Sequence, residues 1–144
     1  MLESRGATRI ERPLDVIFDY LADMRHEPEW LPGASNVRQT SEGVIGQGTT
    51  FAGTYARAGT VTCELVAFDR PRALTIHGDA RGMSFDDEIL LREVDGGTEL
   101  TATMRTTPKG LFKLVAPMMG RVIDRQFQGN WDRLKAKLET GPAD

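Results

Sequence analysis

The spacing of apolar residues changes period twice along the chain. Residues 2 to 11, LESRGATRIE, alternate weakly and predict a first strand, ended by Pro13. Proline suits the first position of a helix because its missing N–H would be unpaired there. From Pro13 to Met24 the apolar residues Ile17, Tyr20, Leu21 and Met24 share one helical face, and Asp15, Asp19 and Asp23 fall away from it. In EPEWLPG, residues 27 to 33, Pro28 is expected to open a second, very short helical turn and Pro32-Gly33 to stop it, so that Trp30 and Leu31 are held at a fixed corner.

Beyond that corner the period falls to two. Segments 34–41, 48–57, 60–69, 73–80, 83–94 and 98–107 alternate or carry β-branched and aromatic residues, with turn residues at Gly43, Ala58-Gly59, Arg70-Pro71-Arg72, Gly82 and Gly96-Gly97. This spacing predicts an antiparallel meander. VDGGTEL (94 to 100) is the clearest hairpin, because Asp95, Gly96 and Gly97 tolerate the positive φ of tight primed turns. The period then returns to 3.6: Phe112, Met119, Ile123, Phe127, Trp131, Leu134 and Leu138 form one stripe of a long amphipathic helix. Pro117 is expected to kink or interrupt it near its start.

These elements predict an α+β chain in which a seven-stranded antiparallel sheet curls around a long C-terminal helix. The inward strand faces hold several small residues, Gly53, Cys63, Ala67 and Ala102 among them, so a cavity between sheet and helix is expected. Its candidate ligand contacts are Trp30 at the corner, Phe51 and Tyr55, Cys63 and Leu65, Leu74 and Ile76, Phe85 and Ile89, and Met104 on successive strands. Met119, Ile123 and Phe127 complete the set from the long helix. Trp30 reads either as a plug that fixes the corner or as a lid over the cavity mouth; Trp131 reads as an anchor of the helix or as a ligand contact. Met83, Met104, Met118 and Met119 suit an adaptable lining or an ordinary core equally.

Composition narrows the picture. The chain of 144 residues, 40% hydrophobic and 27% charged, is expected to form one domain over residues 1–144 without staples. A net charge of -3 with dispersed basic residues argues against a nucleic-acid partner. Cys63 is the only cysteine, so no internal disulfide is possible and a reducing cytoplasm is expected. The charged N-terminus does not read as a signal peptide, and no apolar run is long enough for membrane insertion. The excess of arginine over lysine points to a GC-rich bacterial genome.

The stretches IERPLDVIFDYLAD, EWLPG, GQGTTF, DRPRALTI, GGTELTATM and LKAKLE, in this order and spacing, span almost the whole chain. In them the sequence resembles the START-like helix-grip superfamily of polyketide cyclases, lipid-transfer domains and birch-pollen-type allergens. The likeness is greatest to its bacterial polyketide cyclase/dehydrase branch. The resemblance implies two short helices between strands 1 and 2 that cap one end of the sheet. Trp30 and Leu31 would then close the rim of the groove next to Pro117. It brings no catalytic motif that maps onto residues here.

Candidate chemistry comes from strand parity. Arg57 continues the face of Phe51 and Tyr55, and Asp87 lies between Phe85 and Ile89, so alternation aims both inward. A buried charge requires a partner or a shifted pKa. An Arg57–Asp87 pair near Tyr55 would orient a carbonyl or enolate, which makes Tyr55, Arg57 and Asp87 the catalytic candidates. The alternative places Arg57 at a strand end in water and lets a bulge turn DDE (86 to 88) outward. His77 has the opposite parity to Ile76 and is expected to face solvent. Two separated histidines and one cysteine offer no metal-ligand spacing, so neither metal nor cofactor is expected. GQGTTF leads into a strand and supplies no helix N-terminus to hold phosphate. Cys63 has no visible base.

Three functions remain open. The first is binding or carriage of a small hydrophobic or amphipathic molecule, lipid-like or polyketide-like. The second is a cyclase or dehydratase acting on such a molecule by proton transfer and enolate stabilisation. The third is an interaction protein with a filled core. The assembly is expected to be a monomer or a homodimer.

Overall fold

The computed structural model describes residues 1–140. Its strands are β1 (Leu2–Ile10), β2 (Ser35–Gln39), β3 (Thr50–Tyr55), β4 (Gly59–Asp69), β5 (Ala73–Asp79), β6 (Met83–Val94) and β7 (Gly97–Pro108). Helix α1 (Leu14–Ala22) and a 3-10 helix (Met24–Glu29) lie between β1 and β2, and α2 (Phe112–Thr140) follows β7. The seven strands form one antiparallel sheet in the order β1-β7-β6-β5-β4-β3-β2. Strands β2 to β7 are a meander; β1 pairs with β7 from Leu2 opposite Thr106 to Ile10 opposite Thr98. The edges are therefore β1 and β2, and the two short helices bridge them.

Local chemistry explains the turns. Asp95 (φ 49°) and Gly96 (φ 82°) both take the left-handed conformation that a two-residue hairpin needs, and Val94 pairs with Gly97 across it. Register shifts between Leu65 and Ala67 in β4, and between Ser35 and Arg38 in β2, add local bend to the sheet.

The helical elements depart from the sequence reading in three details. Helix α1 ends at Ala22 rather than Met24, because the Asp23 backbone turns extended and its carboxylate accepts a hydrogen bond from the Arg25 N–H. Asp23, not Pro28, thus opens the short second helix, and Pro28 sits near its end. Pro117 does not interrupt α2, which runs unbroken from Phe112 to Thr140. The proline lies in the second turn, where its missing N–H forfeits one intrahelical bond and leaves the rest of the ladder intact.

Helix α2 packs chiefly along β1. Gly6 of β1 permits the close approach: a β-carbon there would lie 2.5 Å from Cδ1 of Trp131. Ile10, Ile17, Phe18, Phe51, Leu65, Leu74, Ile89, Leu100 and Leu134 form the best-buried part of the core. The ring of Phe18 in α1 meets that of Phe68 in β4 edge-on at 5.1 Å. In α2 only Ala116, Phe127, Trp131 and Leu134 are buried. The sequence stripe is therefore covered in the second half of the helix and open in the first, where Phe112 is 52% and Met119 38% exposed.

Candidate functional site

A cavity of about 460 Å³ lies between the sheet, the 3-10 helix and the middle of α2. The sheet contributes Tyr55 at the end of β3, Val61 and Cys63 on β4, Ile76 on β5, Met83, Phe85, Asp87 and Ile89 on β6, and Met104 and Thr106 on β7. Leu21, Met24, Glu27 and Trp30 close one side, and Ile123, Phe127 and Trp131 of α2 close another. Exposed Arg57, in the turn after β3, and exposed Gln126 of α2 mark its mouth.

Strand alternation puts Asp87 on this wall. Strand β6 pairs in continuous register with both neighbours, Asp87 standing opposite Ile76 on one side and Met104 on the other, so no bulge turns the DDE segment outward. Asp86 instead faces out and meets His77 Nδ1 at 2.8 Å, while His77 Nε2 lies 3.1 Å from Asp79. The two carboxylates raise the pKa of His77, the Asp86 hydrogen bond most strongly.

The polar end of the cavity is acidic. The Tyr55 hydroxyl donates a hydrogen bond to Glu27 Oε1. Burial pushes the Glu27 carboxyl up to about 7, against the opposing pull of that hydrogen bond. Burial, reinforced by the charge of Glu27, pushes Asp87 up to about 8. Both carboxyls keep a small surface open to the cavity, but neither has a cation beside it among the described residues. Tyr55 is pushed well above the usual phenol range by burial and by Glu27, so it stays protonated and donates. Asp87 Oδ1 and Trp131 Nε1 are buried without a hydrogen-bond partner among the described residues. The indole N–H of Trp131 lies against Gly6 of β1, whereas two proton-bearing acids and a phenol interrupt a mostly apolar wall. They can donate to a carbonyl or hydroxyl oxygen, and the acids can exchange protons near neutral pH.

The residues singled out from the sequence separate into two groups. Trp30, Tyr55, Cys63, Ile76, Phe85, Ile89, Met104, Ile123 and Phe127 line the cavity. Phe51, Leu65 and Leu74 do not; they are 1%, 0% and 1% exposed in solid core, because the same strand face continues past the cavity to where α1 packs. Met119 also lies off the cavity, on the outward part of α2. Arg57 does not pair with Asp87: β3 ends at Tyr55, and Arg57 takes a left-handed turn conformation (φ 71°) at the exposed mouth. Burial pushes the Cys63 thiol up to about 12, which leaves it unreactive as a nucleophile.

Trp30 is buried, with its ring 5.6 Å from that of Trp131, so the corner closes against the middle of α2. Trp131 is fourteen residues, or about 21 Å of helix, from Pro117, so Trp30 does not sit beside the proline. The sequence reading does not single out Glu27. It belongs to a 3-10 turn with no periodicity to orient it, and only the acid's place directly before Pro28 in EPEWLPG hints at it. No group of three or more His, Cys, Asp or Glu among the described residues is arranged to hold a metal ion.

Solved structures share this arrangement. The chain is similar to the Zhui aromatase/cyclase from Streptomyces sp. R1128 (TM-score 0.74, 17% identity, 95% of this chain and 93% of that one). TTHA0849 from Thermus thermophilus superposes with TM-score 0.75 at 11% identity, over 94% of this chain and 96% of its own. Ara h 8.0201 does so with TM-score 0.70 at 16% identity, over 96% and 98%. At such identities the likeness shows the helix-grip fold. No curated protein matches the sequence significantly. The sequence profile described as polyketide cyclase / dehydrase and lipid transport matches residues 1–139. With that match over nearly its full length, and with the seven-stranded sheet and long C-terminal helix in place, the chain belongs to the polyketide cyclase / dehydrase and lipid transport family.

Proposed function

We propose that the protein binds a small, mostly apolar molecule in the cavity between sheet and α2, oriented by the acid cluster at Glu27, Tyr55 and Asp87. The observation that carries this reading is the wall itself: about 460 Å³ lined mainly by carbon, with the buried, unpaired carboxyl oxygen of Asp87 among the lining residues. An anionic head group would face two carboxyls, so the polar end of the ligand is neutral and oxygen-bearing, as in a fatty alcohol or a polyaromatic phenol. Calorimetric titration with one of each tests it, on wild type and on Met104→Trp, whose larger side chain fills the centre of the sheet-side wall. At least one probe binds one-to-one to wild type and at least tenfold more weakly to the variant, a loss of about 1.4 kcal/mol. Failure of both probes to bind, or equal binding by the variant, would refute it.

A second reading is favoured by the pair of acids. One carboxyl near its midpoint at neutral pH beside another that keeps its proton is suited to removing a proton from one carbon and stabilising the enolate oxygen. The relative from Streptomyces is an aromatase/cyclase, and that activity carries over to this chain only as a proposal. Replacing Asp87 by Asn would then leave ligand binding within about threefold and reduce turnover by about a hundredfold or more. Undiminished turnover would leave the cavity as a carrier site.

A further inference from the structure

Six large apolar side chains, Leu111 just before α2 and five in its first turns, are turned to water. Leu111, Leu114 and Met118 are 82%, 76% and 83% exposed, and Val115, Met119 and Val122 are between 38% and 46% exposed. At 100° per residue, positions 115, 118 and 122 make one stripe with Leu114 at its side. The buried residues Ala116, Phe127, Trp131 and Leu134 lie on the opposite side of the same helix. This segment is therefore amphipathic in reverse: its outward face is apolar, and none of the described residues covers it. Soluble surfaces seldom leave so many adjacent apolar side chains open without an occupant.

The charges beside the stripe select that occupant. Arg121 and Arg125 flank the stripe on the side of Leu114, are exposed and have no acidic partner among the described residues. The only acid between positions 109 and 125 is Asp124, which accepts a hydrogen bond from Ser4 Oγ at 2.7 Å on the β1 side. Lys109 is held by Asp79 at 3.3 Å. A chain of net charge -3 thus presents two unpaired cations beside its most apolar exposed strip. An anionic bilayer satisfies both features at once, taking the apolar side chains at the level of its acyl chains and the cations at its phosphates.

We propose that the outward face of the segment from Leu111 to Val122, at the start of α2, docks the protein on the surface of an anionic phospholipid membrane. The helix lies on the bilayer and does not cross it; no helix among the described residues is long and apolar enough to span. Ile123, the residue after the strip, lines the cavity, so docking would bring the mouth close to the lipid. The proposal does not depend on the cavity reading, since the face would dock whether or not the cavity takes a ligand.

Co-sedimentation with vesicles of phosphatidylcholine alone, and of phosphatidylcholine and phosphatidylglycerol in equal parts, tests it. The variants are Leu114→Glu/Met118→Glu and Arg121→Glu/Arg125→Glu, all at exposed positions, with circular dichroism and thermal melting to show that they fold. Wild type pellets with the mixed vesicles about tenfold more tightly than with phosphatidylcholine, and each double variant loses about tenfold or more of that binding. Titration of the cavity with the fatty alcohol or phenol is unchanged in Leu114→Glu/Met118→Glu, which separates failure here from failure of the cavity reading. Absence of binding to the mixed vesicles, or equal binding by the folded Leu114→Glu/Met118→Glu protein, overturns the proposal. A dimer that this variant dissolves, without vesicle binding by wild type, overturns it in favour of a second copy.

Discussion

A carboxyl that loses contact with water and gains no cation keeps its proton at a pH where an exposed one would have released it. Asp87 is such a group. Its pKa rises from the ordinary 3.8 to about 8 on folding, and Glu27 moves in the same direction. Between those two values these groups hold more protons in the folded protein than in the unfolded chain, so their contribution to stability falls as pH climbs from about 4 to about 8 and is constant above. Asp87→Asn, a neutral substitute of nearly the same shape, should flatten this dependence. In alkaline buffer the variant should be more stable than wild type by on the order of 2 kcal/mol, and in mildly acidic buffer nearly equal to it. Urea unfolding at both ends of the range measures the difference; parallel pH curves would show that Asp87 is not the responsible group. Asp87 was legible in the sequence because strand parity between Phe85 and Ile89 orients it without help from any other element. Glu27 was not, because its direction is set by where the 3-10 helix lands against β2, within reach of Tyr55 at the end of β3, which no local pattern encodes. Arg57 misled for a related reason: parity holds only within a strand, and the chain turns one residue earlier, at Ala56.

At the scale of elements, the contact between α2 and β1 depends on the absence of a side chain. Gly6 lets the Trp131 indole lie on the β1 backbone, and the side chain of Gln128 fixes the same place through Ala7, accepting from its N–H at 3.0 Å and donating to its carbonyl at 2.9 Å. Gly6→Val should destabilise the protein by about 1–3 kcal/mol, since a rigid indole must move. Gly120→Ala, where an added β-carbon meets nothing within 4 Å, should instead stabilise it by about 0.5–1 kcal/mol through helix propensity. The two denaturation midpoints, shifted in opposite directions, check the pair; a neutral Gly6→Val would mean that the helix is not seated as described. The helix itself was readable from its repeat of apolar positions. Which half of that repeat would be covered was not, because β1 is nine residues long and α2 is twenty-nine, so the helix outruns the strand it packs on. Met119 and Phe112 belong to the uncovered part.

For the whole molecule, the order of elements was legible because each carries its own period and punctuation. The Asp95-Gly96 turn and the unbroken alternation of β6 and β7 left little choice of register there. The size of the cavity was not, since it depends on how far α2 stands from the middle strands, a distance fixed at β1 and at the 3-10 helix rather than by the residues between. Small residues on the strand faces indicated a shortage of bulk, yet Phe51, Leu65 and Leu74 show that the same faces are fully packed elsewhere. The chain contains two tryptophans, and both stand in the cavity wall with their rings 5.6 Å apart. Indole emission from this protein therefore originates entirely beside the cavity. Filling or emptying it would change the colour and intensity of the intrinsic fluorescence, so occupancy can be followed optically without attaching any dye.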